Sequence, residues 1–256
     1  MLKPKVAKYF SSVASTNSAL LADLERKPQL AEGTVYLAVD QSAGRGQGSN
    51  QWHSTPGANL TLSILLRPVH LSVDAVFALN AAVSLATARC VQTFLPPHLK
   101  HSVRVKWPND VYVGDQKIAG ILIQNALRGN QLQYAVAGIG LNVNERDFPI
   151  GLRPRAISIR QLTNDDISLE DVSEQLFEHL SENYQLIIDG NLRQLRQDYQ
   201  QQLYRLGLPT RFMRLHNETE FTATITGVSR EGRLALMHSG DEKELVDVHS
   251  IRFLFQ

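Results

Sequence analysis

A single cysteine, Cys90, stands in the whole chain. An intramolecular disulfide is therefore excluded, and nothing asks for an oxidising compartment. Cys90 falls in an apolar helical pattern, where a buried, inert thiol is expected. Long hydrophobic runs are missing as well. The most apolar stretch free of charge, Ala75 to Ala88, is shorter than the roughly 20 residues that cross a bilayer. The opening MLKPKVAKYFSSVAS lacks the apolar core of a secretory signal. No sign of charge dominates either. Against 25 Asp and Glu stand 26 Lys and Arg, a formal charge of +1, with no overall pull toward nucleic acid or anionic lipid. A soluble cytoplasmic protein, without membrane or nucleic-acid partner, is the expectation.

Motifs are missing too. There is no G-x-x-x-x-G-K-[ST] phosphate loop, no G-x-S-x-G elbow and no H-E-x-x-H pair. The eight histidines are scattered, none at ligand spacing with cysteine or carboxylate. His53, His70 and His101 sit beside predicted loops or element ends, where solvated rings are expected.

What is present is enough for a real core. Hydrophobic residues make up 43% and charged residues 20% of 256 residues, which suits one large domain, or an ordinary one with a small companion. Thr16 or Asn17 is placed to cap a helix striped by Ala19, Leu20, Leu21 and Leu24. TVYLAVDQ (34–41) and NLTLSILLR (59–67) read as strands, and 72–95 as a central helix ended by Pro96 and Pro97. Strand-like runs follow at 103–107, 117–125 and 132–143. The short connections predict a mixed, largely antiparallel sheet with packed helices, an α+β fold. Residues 168–188 and 191–206 read as helices, and Ser168 with Asp171 resembles a capping box. From GLPT (207–210) onward only short strands and turns remain, which predicts a small β-barrel. The expected domains are 1–207 and 208–256. Strand 132–143 either pairs across a two-fold or is covered, so monomer and homodimer both stay open.

Four segments carry candidate chemistry. In SAGRGQGSNQW (42–52), glycines permit an anion-binding backbone concavity, Arg45 adds a permanent charge, and Trp52 offers a flat face. A plain hairpin loop is the alternative. VKWPNDVYV (105–113) gathers Lys106, Asn109 and Asp110 at one strand end; this is ordinary turn chemistry, or a carboxylate for Mg²⁺ beside phosphates. Lys117 opens an apolar strand, either as a solubilising edge charge or as an inward cation facing an anion. Gly138 and Gly140 predict close approach of a ligand or another backbone, with Asn142 or Asn144 facing it.

Taken together and in order, STN (15–17), GRGQG through Trp52, PGANLTLS (56–63), KWPND (106–110), KIAGILI (117–123) and GIGLNVN (138–144) resemble the biotin protein ligase family. Each segment alone is weak; the ordered set is specific and spans most of residues 10–165. The resemblance implies a class II synthetase-like catalytic fold with a C-terminal SH3-like barrel. It implies attack of the biotin carboxylate on the α-phosphate of Mg²⁺-ATP, then transfer of biotin to a lysine of a biotin carboxyl carrier protein domain. By position, Ser15, Thr16, Asn17 and Gln41 would bind biotin. Gly44, Arg45, Gly46 and Gln47 would form a lid over biotin and its adenylate. Lys117 and Arg45 would carry catalysis. Trp52, Asn109, Asp110 and Asn142 would meet the nucleotide, with loop 145–157 helping to cover it and Asp110 holding Mg²⁺.

The sequence departs from that pattern at Gln47, where many members have a second arginine, and at Ser49 or Asn50, often basic elsewhere. Gln47 can donate a hydrogen bond but adds no charge, so altered retention of the adenylate is implied rather than a different reaction. Fourteen residues precede Ser15, too few for a helix-turn-helix, so no repressor function is expected. Fold-sharing lipoate or octanoate attachment and a non-catalytic biotin-binding module remain the rival readings.

Overall fold

The structure is a computed structural model that describes residues 1–48 and 50–254. Its first part runs β1 (Lys5–Phe10), α1 (Thr16–Arg26), β2 (Thr34–Ala38), β3 (Leu60–Leu66), α2 (Phe77–Phe94), α3 (Pro97–Lys100), β4 (Val103–Lys106), β5 (Asp110–Val113), β6 (Gln116–Arg128), β7 (Gln131–Leu141), α4 (Ile159–Thr163), α5 (Leu169–Ile188) and α6 (Leu192–Gln201). The sheet order is β1-β2-β3-β7-β6-β5-β4. Among the described strands of this sheet, only β1 and β2 pair in parallel, because α1 crosses between them; short turns make β4–β5, β5–β6 and β6–β7 antiparallel, and β2–β3 and β3–β7 pair antiparallel across longer stretches of chain.

Strand alternation assigns the two faces. Tyr36, Leu65 and Val136 pack with Leu20 and Leu24 of α1. Their neighbours Val35, Ile64 and Ala137 face the larger core, which includes residues of α2, α5 and α6. Helix α2 is buried on nearly every side. With its preceding turn, Val73–Phe94 is long and apolar enough by composition to cross a bilayer, which the charge-free count excluded. It is the central helix of the core instead. Cys90 is buried within it, and burial pushes its thiol up to about 12. His53, His70 and His101 are exposed.

Several expectations change in detail. Ser15, not Thr16 or Asn17, caps α1 by accepting from Ser18 N, which frees the next two side chains to turn elsewhere. Ser168 accepts from Asp171 N, but the reciprocal capping box forms at Ser158 and Gln161. Helix α6 stops at Gln201 because Leu203 leaves it to pair with Val105 on edge strand β4. Strand β7 lies between β3 and β6, and Gln131 and Leu132 bond to Ser72 and Leu71 where β3 ends. It therefore has no open edge for pairing across a two-fold.

The C-terminal part holds β8 (Pro209–Arg214), β9 (Glu220–Val228), β10 (Leu234–Met237), β11 (Lys243–Val246) and β12 (Ile251–Phe253). They form an antiparallel sheet in the order β11-β10-β9-β8-β12. Its inner side chains, among them Phe212, Ile225 and Leu234, join the same apolar core as the larger sheet. Trp107 Nε1 donates to Gly232 O across the junction at 2.8 Å.

One polar cluster stabilises the small sheet. Arg214 donates twice to Glu244, at 2.7 and 2.9 Å, and His238 Nε2 lies 2.7 Å from Glu244 Oε2. The bidentate guanidinium first, then the imidazole, hold the Glu244 carboxyl at about 2, well below its usual 4.5. Folding favours the ionised form, so its stabilisation is complete above pH ~4.5 and drains away as pH falls toward ~2. After solvent screening, Glu244→Gln is expected to cost about 1 kcal/mol at pH 7 and to flatten the loss of stability between pH 5 and 3. Urea unfolding at several pH values measures both.

Candidate functional site

The α1 face of the large sheet carries an unusual bare patch. Gly120 of β6 sits directly opposite Gly140 of β7, and Gly138 lies opposite Ser63 of β3. Side chains approach the bare backbone closely, and the three glycines also line a chamber beside them. A Cβ on Gly138 would lie 2.5 Å from Asn17 Oδ1, and one on Gly140 2.4 Å from Trp52 Cε2. The patch thus seats an asparagine from α1 and the indole that closes the glycine-rich segment.

That segment is a folded hairpin. Arg45 bridges Gln51, Gly46 N donates to Asn50 O, and Trp52 N donates to Gly44 O. Among its described glycines only Gly48 is left-handed, with φ +65°. Gly44 is required for a different reason: its Cβ would meet Trp52 O at 2.7 Å. Gln47 reaches out to His249, with Nε2 atoms 3.5 Å apart. Ser49 lies outside the described residues.

Two chambers share the Trp52 wall. The first, about 300 Å³, is lined by Ser15, Thr16, Asn17 and Gln41 on one side and by Arg45, Gly46 and Gln47 of the hairpin on another. Its far end is Asn109, Asp110 and Lys117. The second, about 620 Å³, is bounded by Trp52, Asp110, Lys117 and Asn142, with Lys106 and Arg155 beside them. Strand β12 adds Arg252 and Phe253 to it. Of the residues singled out in the sequence, Gly44 lines neither chamber, lying at the hairpin base. Asn144 also stays away, locked to both backbone groups of Ile167.

The first chamber is polar and prearranged. Gln41 Oε1 accepts from Thr16 N at 2.8 Å and from Thr16 Oγ1 at 3.2 Å. Ser63 Oγ, fully buried, lies 2.7 Å from Thr16 Oγ1 and donates to Asn17 Oδ1. Asn17 Nδ2 donates to Leu122 O and Gln124 Oε1. Among the described residues Gln41's amide NH₂ makes no hydrogen bond. Asn109, buried in the turn after the cis Trp107–Pro108 peptide, donates to Ile121 O at 2.6 Å.

At the junction Lys117 Nζ stands 2.7 Å from Asp110 Oδ1 and 6.0 Å from the centre of the Trp52 ring. Backbone bonds to Arg155 O and from Ile157 N pin Lys117. Asp110 is the only carboxylate lining either chamber among the described residues, against Arg45, Lys106, Lys117, Arg155 and Arg252. Lys106 is packed over the Tyr112 and Phe253 rings. Burial lowers its ammonium below the usual value, Asp110 opposes that, and Lys117 reinforces it. The junction therefore presents a field suited to two anions brought together.

Sequence reasoning missed Ser63, Arg155, Arg252 and Glu145. Ser63 carried a signal, one of two hydroxyls, with Thr61, in an otherwise apolar strand. Glu145 is buried and accepts from Thr55 N, Thr55 Oγ1 and Asn59 Nδ2. It ties the segment after the hairpin to the loop after β7. Arg252 arrives from the other sheet and had no local signal.

A model of the biotin/lipoate A/B protein ligase family matches residues 9–142, just over half of the chain. The chain belongs to this family. The ligase match covers α1, the hairpin, Lys117 and the glycine patch, and stops at Asn142. A bifunctional ligase/repressor BirA of Bacillus spizizenii is 29% identical over 212 residues, 80% of this chain and 62% of that protein. A biotin–[acetyl-CoA-carboxylase] ligase of Mycobacterium tuberculosis is 34% identical over 154 residues, 59% of this chain and 54% of that one. The chain thus spans a little over half the length of these relatives. A biotin protein ligase from Aquifex aeolicus, solved with biotin and ATP, has the same fold. Its TM-score is 0.78 at 22% identity, over 98% of this chain and 99% of that chain.

Proposed function

We propose that this chain activates biotin with ATP to biotinyl-5′-AMP and passes the biotinyl group to a lysine of a biotin carboxyl carrier protein domain. The observation that carries the reading is the Lys117 ammonium, fixed where a polar chamber meets a cationic one. Biotin lies in the first chamber, its ureido group against Ser15, Thr16, Asn17 and Gln41, with its carboxylate toward Lys117. ATP occupies the second, near Asn142, Arg155 and Trp52. One carboxylate oxygen bonds to the α-phosphorus, and the bond to the bridging oxygen of the leaving pyrophosphate breaks. No side-chain nucleophile is needed; Lys117 and Arg45 offset the repulsion of the two anions and the charge that develops between them. The hairpin 44–52 shields the anhydride from water until an acceptor amine attacks its carbonyl and AMP departs.

Magnesium fits Asp110 with the phosphates. No group of three metal-ligating side chains exists among the described residues, so Asp110 would supply one ligand, with phosphate oxygens and water the rest. The ion would neutralise phosphate charge. In this reading residues 1–207 form the catalytic domain and 208–256 an SH3-like barrel, supported by β12 returning to pair with β8. In the same reading the setting is cytoplasmic, where ATP is available to the reaction.

Lipoate or octanoate attachment is the second reading, because the matching family includes lipoate ligases. The hydrogen-bonded polar wall favours a ureido head over an alkyl chain. Biotin-dependent exchange of labelled pyrophosphate into ATP decides it, with lipoate and octanoate alongside. Exchange with biotin alone supports the proposal; exchange with another acid, or with none in folded protein, overturns it. Ser63→Ala is expected to raise the KM for biotin about 10-fold, with kcat within about 3-fold, because Thr16 and Asn17 lose a shared partner worth ~1–2 kcal/mol. Steady-state exchange kinetics measure the split.

A further inference from the structure

A third cavity, about 260 Å³, opens on the opposite face of the large sheet and shares no lining residue with the two chambers. Its interior is apolar. Ala75, Ala78 and Ala81 form a small-residue floor beside Phe77, and Leu192 and Leu195 of α6 form the facing wall. Three cations bound this interior: Arg193 and Arg196, one turn apart on α6, and Arg230 from the turn between β9 and β10.

Among the described residues none of the three arginines makes an ion pair or a side-chain hydrogen bond. Of the acids nearby in sequence, Asp198 is engaged with Arg89 and Gln194, and Glu231 accepts from Ser229 while also feeling the charge of Arg230. An apolar hollow with guanidinium groups on its boundary and no acid among its lining residues is complementary to an anion carrying a hydrocarbon tail. The volume corresponds to about eight or nine waters at ~30 Å³ each, room for a chain of roughly eight to ten carbons.

We infer that this cavity is a binding site for a medium-chain carboxylic acid, with the tail against Phe77, Ala78 and Leu195 and the carboxylate held by Arg193, Arg196 and Arg230. A bulky polar anion would leave the alanine floor unfilled, and a neutral alkane or alcohol would leave the guanidinium groups unmatched.

Calorimetric titration of the full chain with decanoate tests this, in protein saturated with biotin and a non-hydrolysable ATP analogue so that the catalytic chambers are occupied. One binding equivalent is expected. Arg193→Gln/Arg196→Gln should weaken it at least 10-fold, Ala78→Phe should abolish it, and decanol should bind at least 10-fold more weakly than decanoate. Since Ala78→Phe fills a packed region and can fail to fold, the surface arginine pair carries the decision alone if needed. No heat of binding, affinity unchanged in the arginine variant, or equal affinity for decanol would overturn the site. Binding seen only without biotin would place decanoate in the catalytic cleft and overturn it equally.

Discussion

Lys117→Ala is expected to lower biotin-dependent pyrophosphate exchange by about 10³-fold or more, a loss of ~4 kcal/mol of transition-state stabilisation. The size follows from what the ammonium does. Its charge matters most when the carboxylate oxygen and the α-phosphate close on one another, so kcat and kcat/KM should fall together. Preorganisation makes this a large effect. The backbone at Lys117 is pinned by bonds to Arg155 and Ile157, and Asp110 orients Nζ at 2.7 Å. Lys117→Arg should not restore the rate, because a planar guanidinium has to fit between Trp52 and the bare surface of Gly120, already 3.0 Å from Nζ at the Cβ position. The lysine is about a third exposed, so unfolding stability should change by no more than ~1 kcal/mol. Exchange kinetics and urea melts on the same samples separate the two effects. A variant retaining a tenth of the wild-type exchange rate would remove Lys117 from the reaction.

Gly138→Ala should have the next largest consequence. A Cβ there collides with Asn17 Oδ1 at 2.5 Å, and Asn17 cannot swing away freely. Its amide bonds Leu122 O and Gln124 Oε1, and its oxygen accepts from Ser63. Moving it breaks these bonds at ~1 kcal/mol each and overfills a closed space, which together cost about 1–3 kcal/mol of stability. Biotin loses the wall it binds, so its KM should rise about 100-fold, equivalent to ~2.7 kcal/mol. Gly151→Ala is the control, since its Cβ meets no atom within 4 Å, and it should leave both quantities unchanged. Calorimetric biotin binding with thermal melts reads the comparison. Near-normal affinity in Gly138→Ala would mean that Asn17 does not bind the ligand.

The sequence by itself determined much of this. Apolar periodicity marked α2 and α5, and turn residues marked the change to short strands after Gly207, because these depend on contacts between near neighbours. The ordered motifs resembling biotin protein ligases singled out Lys117, Asp110, Trp52 and the STN segment, whose chemistry is written in residue type. What lay beyond reach depends on partners distant in the chain. That Gly120, Gly138 and Gly140 form one bare surface is decided by register between β6 and β7 and between β7 and β3. That Trp52 and Asn17 fill it is decided by packing between residues far apart in the chain. Helix α6 ends early because Leu203 finds an edge strand a hundred residues away, a competition local propensity does not register. Arg252 reaches the second chamber because the C-terminal sheet joins the common core. Local interactions wrote the elements and the reactive groups; the pairing of strands decided which groups face one another and how closely.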